Sequence, residues 1–235
     1  MDAAQRVRLS PAALMIALTA VTGLIEAASL LALGPVFTAM QTGNVLFLAF
    51  GAAQEGNLPV LPSAVSLLAF AVGVLCGARA ESAAEARGWR WVGVGLYAEA
   101  ALVVAAAVTG WGLAPRFGHP TARHLVVTAL LATAMGLRNV TSMRVNVAGV
   151  PTTLVTRSMT ALLAGSVLGR DSAFGYGTAG WVRRGLAVLA MFVGGLVGAL
   201  LVKAGWTVGE LLLPAAVIAP VVALGYRRLP LPHSG

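Results

Sequence analysis

The residue whose position most suggests chemistry is Glu26, because it lies well inside a long apolar stretch of the chain. An ionised carboxylate in lipid costs several kcal/mol, so it must face other helices, pair with a cation or take up a proton. A second acid, Glu99, occupies a similar place in a later apolar stretch. The two acids predict ion or proton coupling. The alternative is structural, with each acid held in a buried ion pair or protonated and hydrogen-bonded to a neighbouring helix.

Hydroxyl and amide side chains are concentrated in two segments of mixed polarity, residues 36–53 and 150–168. Such groups can bind a small polar solute or a desolvated ion. The alternative is that they join neighbouring helices by hydrogen bonds worth about 1 kcal/mol each. With the two acids, the predicted binding residues are Glu26, Thr38, Gln41, Thr42, Asn44, Glu99, Asn139, Thr152, Thr153 and Thr156.

Two arginines, Arg138 and Arg157, are candidate counter-charges for the acids. For Arg138 we expect instead a cytoplasmic anchor whose guanidinium reaches the membrane interface along its flexible stem. The spacings Gly73-x-x-x-Gly77 and Gly194-x-x-x-Gly198 predict close helix packing.

Residue types that support enzyme chemistry are scarce in the sequence. It holds three histidines, a single cysteine and a single lysine, and no His-Glu-x-x-His motif or Cys/His cluster. Lys203 follows no glycine-rich phosphate loop, which argues against ATP-driven transport. We therefore predict that the protein is not an enzyme and uses no metal or other cofactor.

Composition indicates the environment that surrounds these residues. Of the 235 residues, 58% are hydrophobic and 10% are charged, whereas soluble domains average about 25% charged. This excludes a soluble, disordered or fibrous protein and predicts a multi-pass membrane protein. The net charge of +8 then indicates cytoplasmic loops rather than nucleic-acid binding.

Six apolar stretches are long enough to cross a bilayer as helices at about 1.5 Å per residue. They cover residues 11–33, 63–78, 91–109, 121–137, 182–202 and 206–224. If the two mixed segments do not cross, every basic residue except Arg116, Arg123 and Lys203 falls on the cytoplasmic side with both termini. This distribution satisfies the positive-inside rule better than eight spans do.

The two mixed segments resemble each other and predict an internal repeat within one membrane domain, residues 1–235. Gly23 to Ser29 aligns with Gly136 to Ser142, and the threonines that follow align after one inserted residue. Halves of three crossings each, about 11–113 and 121–226, must be inverted relative to one another. The predicted fold class is therefore an all-α membrane helix bundle with six spans, two polar broken or re-entrant segments and a 3+3 inverted repeat.

The same segments resemble a known family. Residues 23–33 and 36–45, which include the Thr42-Gly43-Asn44 element, together with residues 134–139 and 152–156, are similar to the signatures of the YoaK-like bacterial membrane proteins. The chain differs from that family's usual pattern at Glu26, Arg138 and Arg157. The resemblance covers nearly the whole chain and implies a cytoplasmic-membrane protein of about six helices with no established activity.

Taken together, these patterns predict a secondary transporter or channel-like permease for a small polar solute or ion, with proton coupling through Glu26. We expect it in the bacterial inner membrane, in contact with the lipid bilayer and without a nucleic-acid partner. Whether it forms a homo-oligomer is left open by the sequence. The alternatives are a non-transporting membrane module, such as an assembly factor or sensor subunit, and a lipid-modifying enzyme.

Overall fold

The protein is helical throughout the residues described by the computed structural model, which are 10–56, 60–114, 121–145, 155–166, 169 and 178–226. No strand occurs within them. The helices are α1 (Pro11–Ala28), which continues through a π-helical turn (Ser29–Leu33), α2 (Gln41–Ala52), α3 (Val60–Ala86), α4 (Trp91–Thr109), α5 (Ala122–Val145), α6 (Val155–Ala164), α7 (Thr178–Lys203) and α8 (Val208–Tyr226).

Six of the helices in this part of the chain are long and apolar enough to cross a membrane: α1 with its π-helical turn, α3, α4, α5, α7 and α8. The predicted all-α bundle with six spans is therefore confirmed. Helix α2 has 12 residues and α6 has 10. At about 1.5 Å per residue neither covers a hydrocarbon core of about 30 Å.

The first span begins and ends where the sequence provides local signals. The Ser10 side chain accepts a hydrogen bond from the backbone N–H of Ala13 at 3.2 Å, and Pro11 occupies the first turn. After Leu33 the chain turns at Gly34, whose φ of 120° is accessible to glycine but strained for other residues. The chain then runs without regular structure through residues 34–40, which we call the break segment.

Hydrogen bonds between loops and helix termini define two ends of the bundle. At the first, the Pro11 end, the Tyr226 hydroxyl donates to the carbonyl of Pro11 at 3.3 Å, and Arg90 donates to the carbonyl of Tyr226 at 3.0 Å. At the second, the Lys203 end, Arg123 donates to the carbonyl of Thr109 at 2.8 Å. The start of α1 and the end of α8 thus lie at the same end.

Helices pack mainly across the two halves of the chain rather than within them. The most extensive interfaces join α1 to α7 and α3 to α5, while α4 packs on both α5 and α8. The short helix α2 lies on α3, and α6 lies on α7. Helix α1 also packs on α8. Exchanging the halves turns α1–α7 into α5–α3, α4–α5 into α8–α1 and α2–α3 into α6–α7, and it leaves α4–α8 unchanged, as the predicted internal repeat requires.

Glycines allow close approach at the two largest interfaces. A Cβ on Gly23 of α1 would lie 2.8 Å from the backbone nitrogen of Gly195 in α7. A Cβ on Gly136 of α5 would lie 2.9 Å from the backbone nitrogen of Val74 in α3. Gly23 and Gly136 are the residues that the repeat aligns, so the two halves use the same packing device. The predicted role of both Gly-x-x-x-Gly spacings in packing agrees with these contacts.

Candidate polar site

Glu26 binds the break segment. One of its carboxylate oxygens, Oε1, accepts hydrogen bonds from the backbone N–H and the hydroxyl of Thr38, both at 2.9 Å, and from the backbone N–H of Ala39 at 2.5 Å. The side chain is 6% exposed, and its Oε2 is buried without a hydrogen-bond partner among the described residues. Because backbone groups at membrane depth need partners, the carboxylate replaces the helical hydrogen bonds that the break removes.

Three further side chains satisfy the backbone of Phe37 and Thr38. Asn44 accepts from the backbone N–H of Phe37 at 2.9 Å and donates to its carbonyl at 2.6 Å. Ser66 of α3 donates to the same carbonyl at 2.6 Å, and Gln41 donates to the carbonyl of Thr38 at 2.8 Å. Asn44 also donates to Gln41 at 2.7 Å. These groups form one network around the break segment and fix it to α3.

The structure brings together four of the predicted first-half residues, Glu26, Thr38, Gln41 and Asn44. Thr42 does not join them: it is exposed on the opposite face of α2, at helical spacing from Val45 and Leu46. Ser66 belongs to the network but was not predicted, because a single hydroxyl in an apolar span resembles any other tolerated serine.

Glu99 and Arg138 form an ion pair inside the bundle, and both residues are fully buried. Arg138 also donates to the hydroxyl of Thr22 at 2.7 Å and to the carbonyl of Leu18 at 2.9 Å. The pair therefore joins α4 and α5 to α1. Within the described residues, the Nε of Arg138 and the Oε2 of Glu99 have no hydrogen-bond partner.

The expectation that Arg138 anchors at the membrane interface is wrong. Arg138 lies about two turns before the end of α5, and its side chain extends sideways between α1 and α4. An isolated cation there would be costly, but Glu99 supplies the opposite charge and Thr22 a further acceptor. The counter-charge interpretation is therefore the one that agrees with the structure.

A third polar group lies at the Pro11 end. Glu81 of α3 is fully buried and accepts a hydrogen bond from the hydroxyl of Thr141. Next to it, Arg144 pairs with Glu85 and stacks on Trp91, with 4.5 Å between the guanidinium carbon and the ring centroid. The sequence pattern did not single out Glu81, because the apolar stretch ends at residue 78 whereas α3 continues to Ala86.

The second-half candidates are less completely described. Asn139 is partly buried, whereas Thr156 and Arg157 are exposed. Thr152 and Thr153 lie outside the described residues. The one buried residue of α6 is Ser158, which the repeat aligns with Asn44, the one buried residue of α2. The predicted repeat alignment thus pairs the buried residues of the two short helices, which are an asparagine and a serine and not the aligned threonines.

No cluster of three or more His, Cys, Asp or Glu side chains that could hold a metal ion occurs in the part of the chain that the structure describes. What the described groups can do is exchange protons, form ion pairs and hydrogen-bond a polar molecule.

Comparison with known protein families gives a match over most of the chain. The pattern of a family described as "Protein of unknown function (DUF1275)" matches residues 14–224. A search of curated proteins and a search of solved structures each found no match to the chain.

Proposed function

We propose a transport function for this chain, which belongs to the DUF1275 family of proteins of unknown function. In this proposal it is a secondary transporter or channel-like permease for a small polar solute or ion, and it is not an enzyme. The carrying observation is that buried charges lie inside membrane-spanning helices and that one of them, Glu26, binds the break segment, which follows the first span. Glu26, Glu99 and Arg138 are each 6% exposed or less.

The energetic argument concerns the cost of these charges in a bilayer. Charged side chains inside spans are rare and mark ion or substrate paths far more often than packing, which apolar side chains achieve at lower cost. A broken backbone at membrane depth adds a second cost, since it must be satisfied by side chains. A merely structural bundle would need neither feature.

The proposed mechanism uses Glu26 as the group that holds or releases the break segment. As a carboxylate, its Oε1 accepts three hydrogen bonds from Thr38 and Ala39. Protonation removes the negative charge and weakens these charge-assisted bonds. Loosening of the segment then frees Thr38, Gln41 and Asn44 to bind solute, and Asn139, Thr152, Thr153 and Thr156 are their proposed counterparts in the second half.

The proposed orientation places the Pro11 end in the cytoplasm of a bacterial cell, with the inner membrane as the location. Arg87, Arg90 and Arg144 are at this end, whereas Arg123 and Lys203 are at the other. The positive-inside rule favours this assignment. In either orientation, two repeated halves of three spans each are inverted relative to one another.

Solute entry into proteoliposomes tests the proposal. Stopped-flow light scattering would follow swelling in iso-osmotic small neutral solutes, amino acids, monocarboxylates and inorganic salts, with a pH gradient of either sign. We expect at least one class to enter faster than into protein-free liposomes, with a rate that depends on pH. Glu26→Gln should abolish this pH dependence, whereas Glu210→Gln at the Lys203 end should retain it.

Two outcomes contradict the proposal. If no solute class enters faster than in protein-free liposomes, the protein is not a transporter. If Glu26→Gln leaves both the rate and its pH dependence unchanged, the coupling role of Glu26 is wrong.

The second candidate function is a non-transporting membrane module, such as an assembly factor or sensor subunit. The observation that favours it is the mutual satisfaction of Gln41, Asn44 and Ser66 around the break segment. The swelling experiment separates the two candidates, because a sealed module admits no solute.

A further inference from the structure

We infer that the proton is the coupling ion and that it passes between the Pro11 end and Glu26 by way of Glu81 and Glu99. This inference rests on the proposed transport function, which already uses protonation of Glu26, and adds to it the route by which the proton arrives. The three carboxylates belong to α3, α4 and α1, and each is buried within the bundle.

The route begins where the buried groups meet solvent. The side chains of Arg144 and Glu85 are 24% and 40% exposed, whereas that of Glu81 is 0% exposed. The Nε of Arg144 lies 3.7 Å from the Oε2 of Glu81. A proton that enters beside Arg144 and Glu85 therefore reaches a buried carboxylate in one step.

The second step connects Glu81 to Glu99. Gly95 of α4 leaves space for the Oε1 of Glu81 and the hydroxyl of Thr141, since a Cβ there would collide with both. Glu99 follows Gly95 by one helical turn, a rise of about 6 Å. On the facing helix, Arg138 precedes Thr141 by three residues, a rise of about 4.5 Å. Glu81 thus contacts α4 and α5 about one turn away from the point where Glu99 of α4 pairs with Arg138 of α5.

The third step connects Glu99 to Glu26 across α1. Arg138, which is paired with Glu99, donates to the hydroxyl of Thr22 at 2.7 Å. Glu26 follows Thr22 by one turn on the same helix, again a rise of about 6 Å. Arg138 keeps its protons, so it positions Glu99 and Thr22 and does not itself carry the proton. Water molecules carry the proton across the gaps of about one helical turn that separate Glu81 from Glu99 and Glu99 from Glu26.

Each carboxylate on the route has one oxygen that accepts hydrogen bonds and one that accepts none. The Oε1 atoms of Glu26, Glu81 and Glu99 accept hydrogen bonds from Thr38 and Ala39, from Thr141 and from Arg138. Their Oε2 atoms are buried without a hydrogen-bond partner among the described residues, although that of Glu81 faces the guanidinium of Arg144 at 3.7 Å. A buried carboxylate oxygen that accepts no hydrogen bond is costly, but it is an atom to which a transient proton binds. The recurrence of such an oxygen at all three acids favours a relay over separate packing defects.

The charges that face the route come from few elements. Arg138 and Arg144 of α5 and Glu85 of α3 accompany the three carboxylates. The sequences of α7 from 185 to 202 and of α8 from 211 to 225 contain no titratable side chain. The positive charge of Arg138 beside the middle carboxylate opposes a continuous leak of protons, as a coupled transporter requires.

The test measures how fast a proton reaches Glu26 in the absence of any solute. Protein in proteoliposomes receives an acid jump from a photoreleased proton, and infrared difference spectra follow the carbonyl band of protonated carboxyl groups. The band that Glu26→Gln removes belongs to Glu26. This band should appear about tenfold or more slowly in Glu81→Gln. Such slowing is expected when the free-energy barrier to proton transfer rises by about the contribution of one hydrogen bond.

Glu99→Gln leaves Arg138 buried without its counter-charge and can therefore prevent folding. The double variant Glu99→Gln with Arg138→Gln removes both charges together, and we expect the same slowing in it. Glu210→Gln is the matched control, because Glu210 is a carboxylate of the Lys203 end whose hydrogen bonds within the described residues come from Thr207. Its rate should equal that of the unmodified protein.

The inference is overturned if folded Glu81→Gln and the double variant protonate Glu26 at the unmodified rate, or if no band belongs to Glu26. Since no solute is present, this result is independent of the swelling experiment. Solute flux together with unaltered protonation of Glu26 would reject the route and keep the transport function. Slowed protonation without any solute flux would reject the transport function and keep the proton route.

Discussion

The two halves of the molecule share a packing frame but differ in charge. Gly23 of α1 and Gly136 of α5 each lie against a glycine-containing helix of the other half. Asn44 and Ser158 are each the one buried residue of a short helix. The residues beside the glycines are not matched. Glu26 aligns with the neutral Asn139, and Arg138 aligns with Ile25. The aligned segments therefore share helix contacts, whereas the buried acids of the described residues, Glu26, Glu81 and Glu99, all lie in the first half.

This difference separates two tasks within one bundle. A frame that is nearly the same in both halves can adopt two equivalent arrangements, which is the usual basis of alternating access. Under the proposed transport function, buried carboxylates that lie in one half only give such a movement a direction for protons. Comparing matched positions in the two halves therefore tells packing effects from coupling effects.

The largest expected effect comes from the position where the halves differ most. Arg138→Met should reduce the free energy of unfolding by about 3–5 kcal/mol, because it leaves Glu99 as an uncompensated buried charge. The aligned change Ile25→Met should cost less than about 1.5 kcal/mol, as volume-conserving apolar exchanges do. Denaturant unfolding of the purified protein in detergent measures both.

The matched control for this pair of variants is Glu99→Gln combined with Arg138→Met. Removal of both charges should restore most of the stability lost in Arg138→Met. Equal losses of unfolding free energy for Arg138→Met and Ile25→Met would show that the ion pair contributes no more to stability than an apolar contact.

A smaller effect, equal in both halves, should follow from filling the glycine contacts. Gly23→Val and Gly136→Val place a side chain within 3 Å of the facing backbone, and overpacking of this kind costs about 1–3 kcal/mol. Because the contacts are equivalent, the two losses should be similar, as measured by thermal unfolding followed by circular dichroism. A loss in only one half would contradict a shared frame.

The smallest difference should appear at the short helices. Asn44→Ala removes the bonds to both backbone groups of Phe37 and should cost about 1–3 kcal/mol, whereas Ser158→Ala removes one hydroxyl and should cost about 1 kcal/mol. The exposed pair Thr42→Ala and Thr156→Ala should stay within about 0.5 kcal/mol of the unmodified protein. If Thr42→Ala costs as much as Asn44→Ala, the network around the break segment is assigned wrongly.

The fold was predictable because its determinants are local and repeated. The span at 11–33 agrees with Pro11–Leu33 and the span at 91–109 with Trp91–Thr109, since Pro11, Gly34 and the tryptophans mark the termini directly. Helix α3 exceeds its predicted span of 63–78, because hydropathy detects the lipid-facing length and not the polar turns beyond it.

The site was predictable only in part, because hydrogen-bond partners depend on distant segments. Glu26 and Thr38 were found because polar groups are conspicuous in apolar sequence. The partner of Glu99, by contrast, depends on which face of α5 meets α4, and sequence periodicity is weak in helices that are apolar all round. Glu81 was missed for a related reason, since only the length of α3 places it inside the bundle.

The interleaved packing of the halves has a consequence for biosynthesis. The main partner of α1 is α7, and the closing bond from Tyr226 reaches back to Pro11. A growing chain therefore inserts its first helices without the neighbours they finally need, and neither half is an independent folding unit. The break segment is an exception, since Glu26 obtains Thr38 and Ala39 from the next 13 residues of the chain. We expect this carboxylate to find its partners early and the Arg138 guanidinium to be accommodated once α1, α4 and α5 have come together.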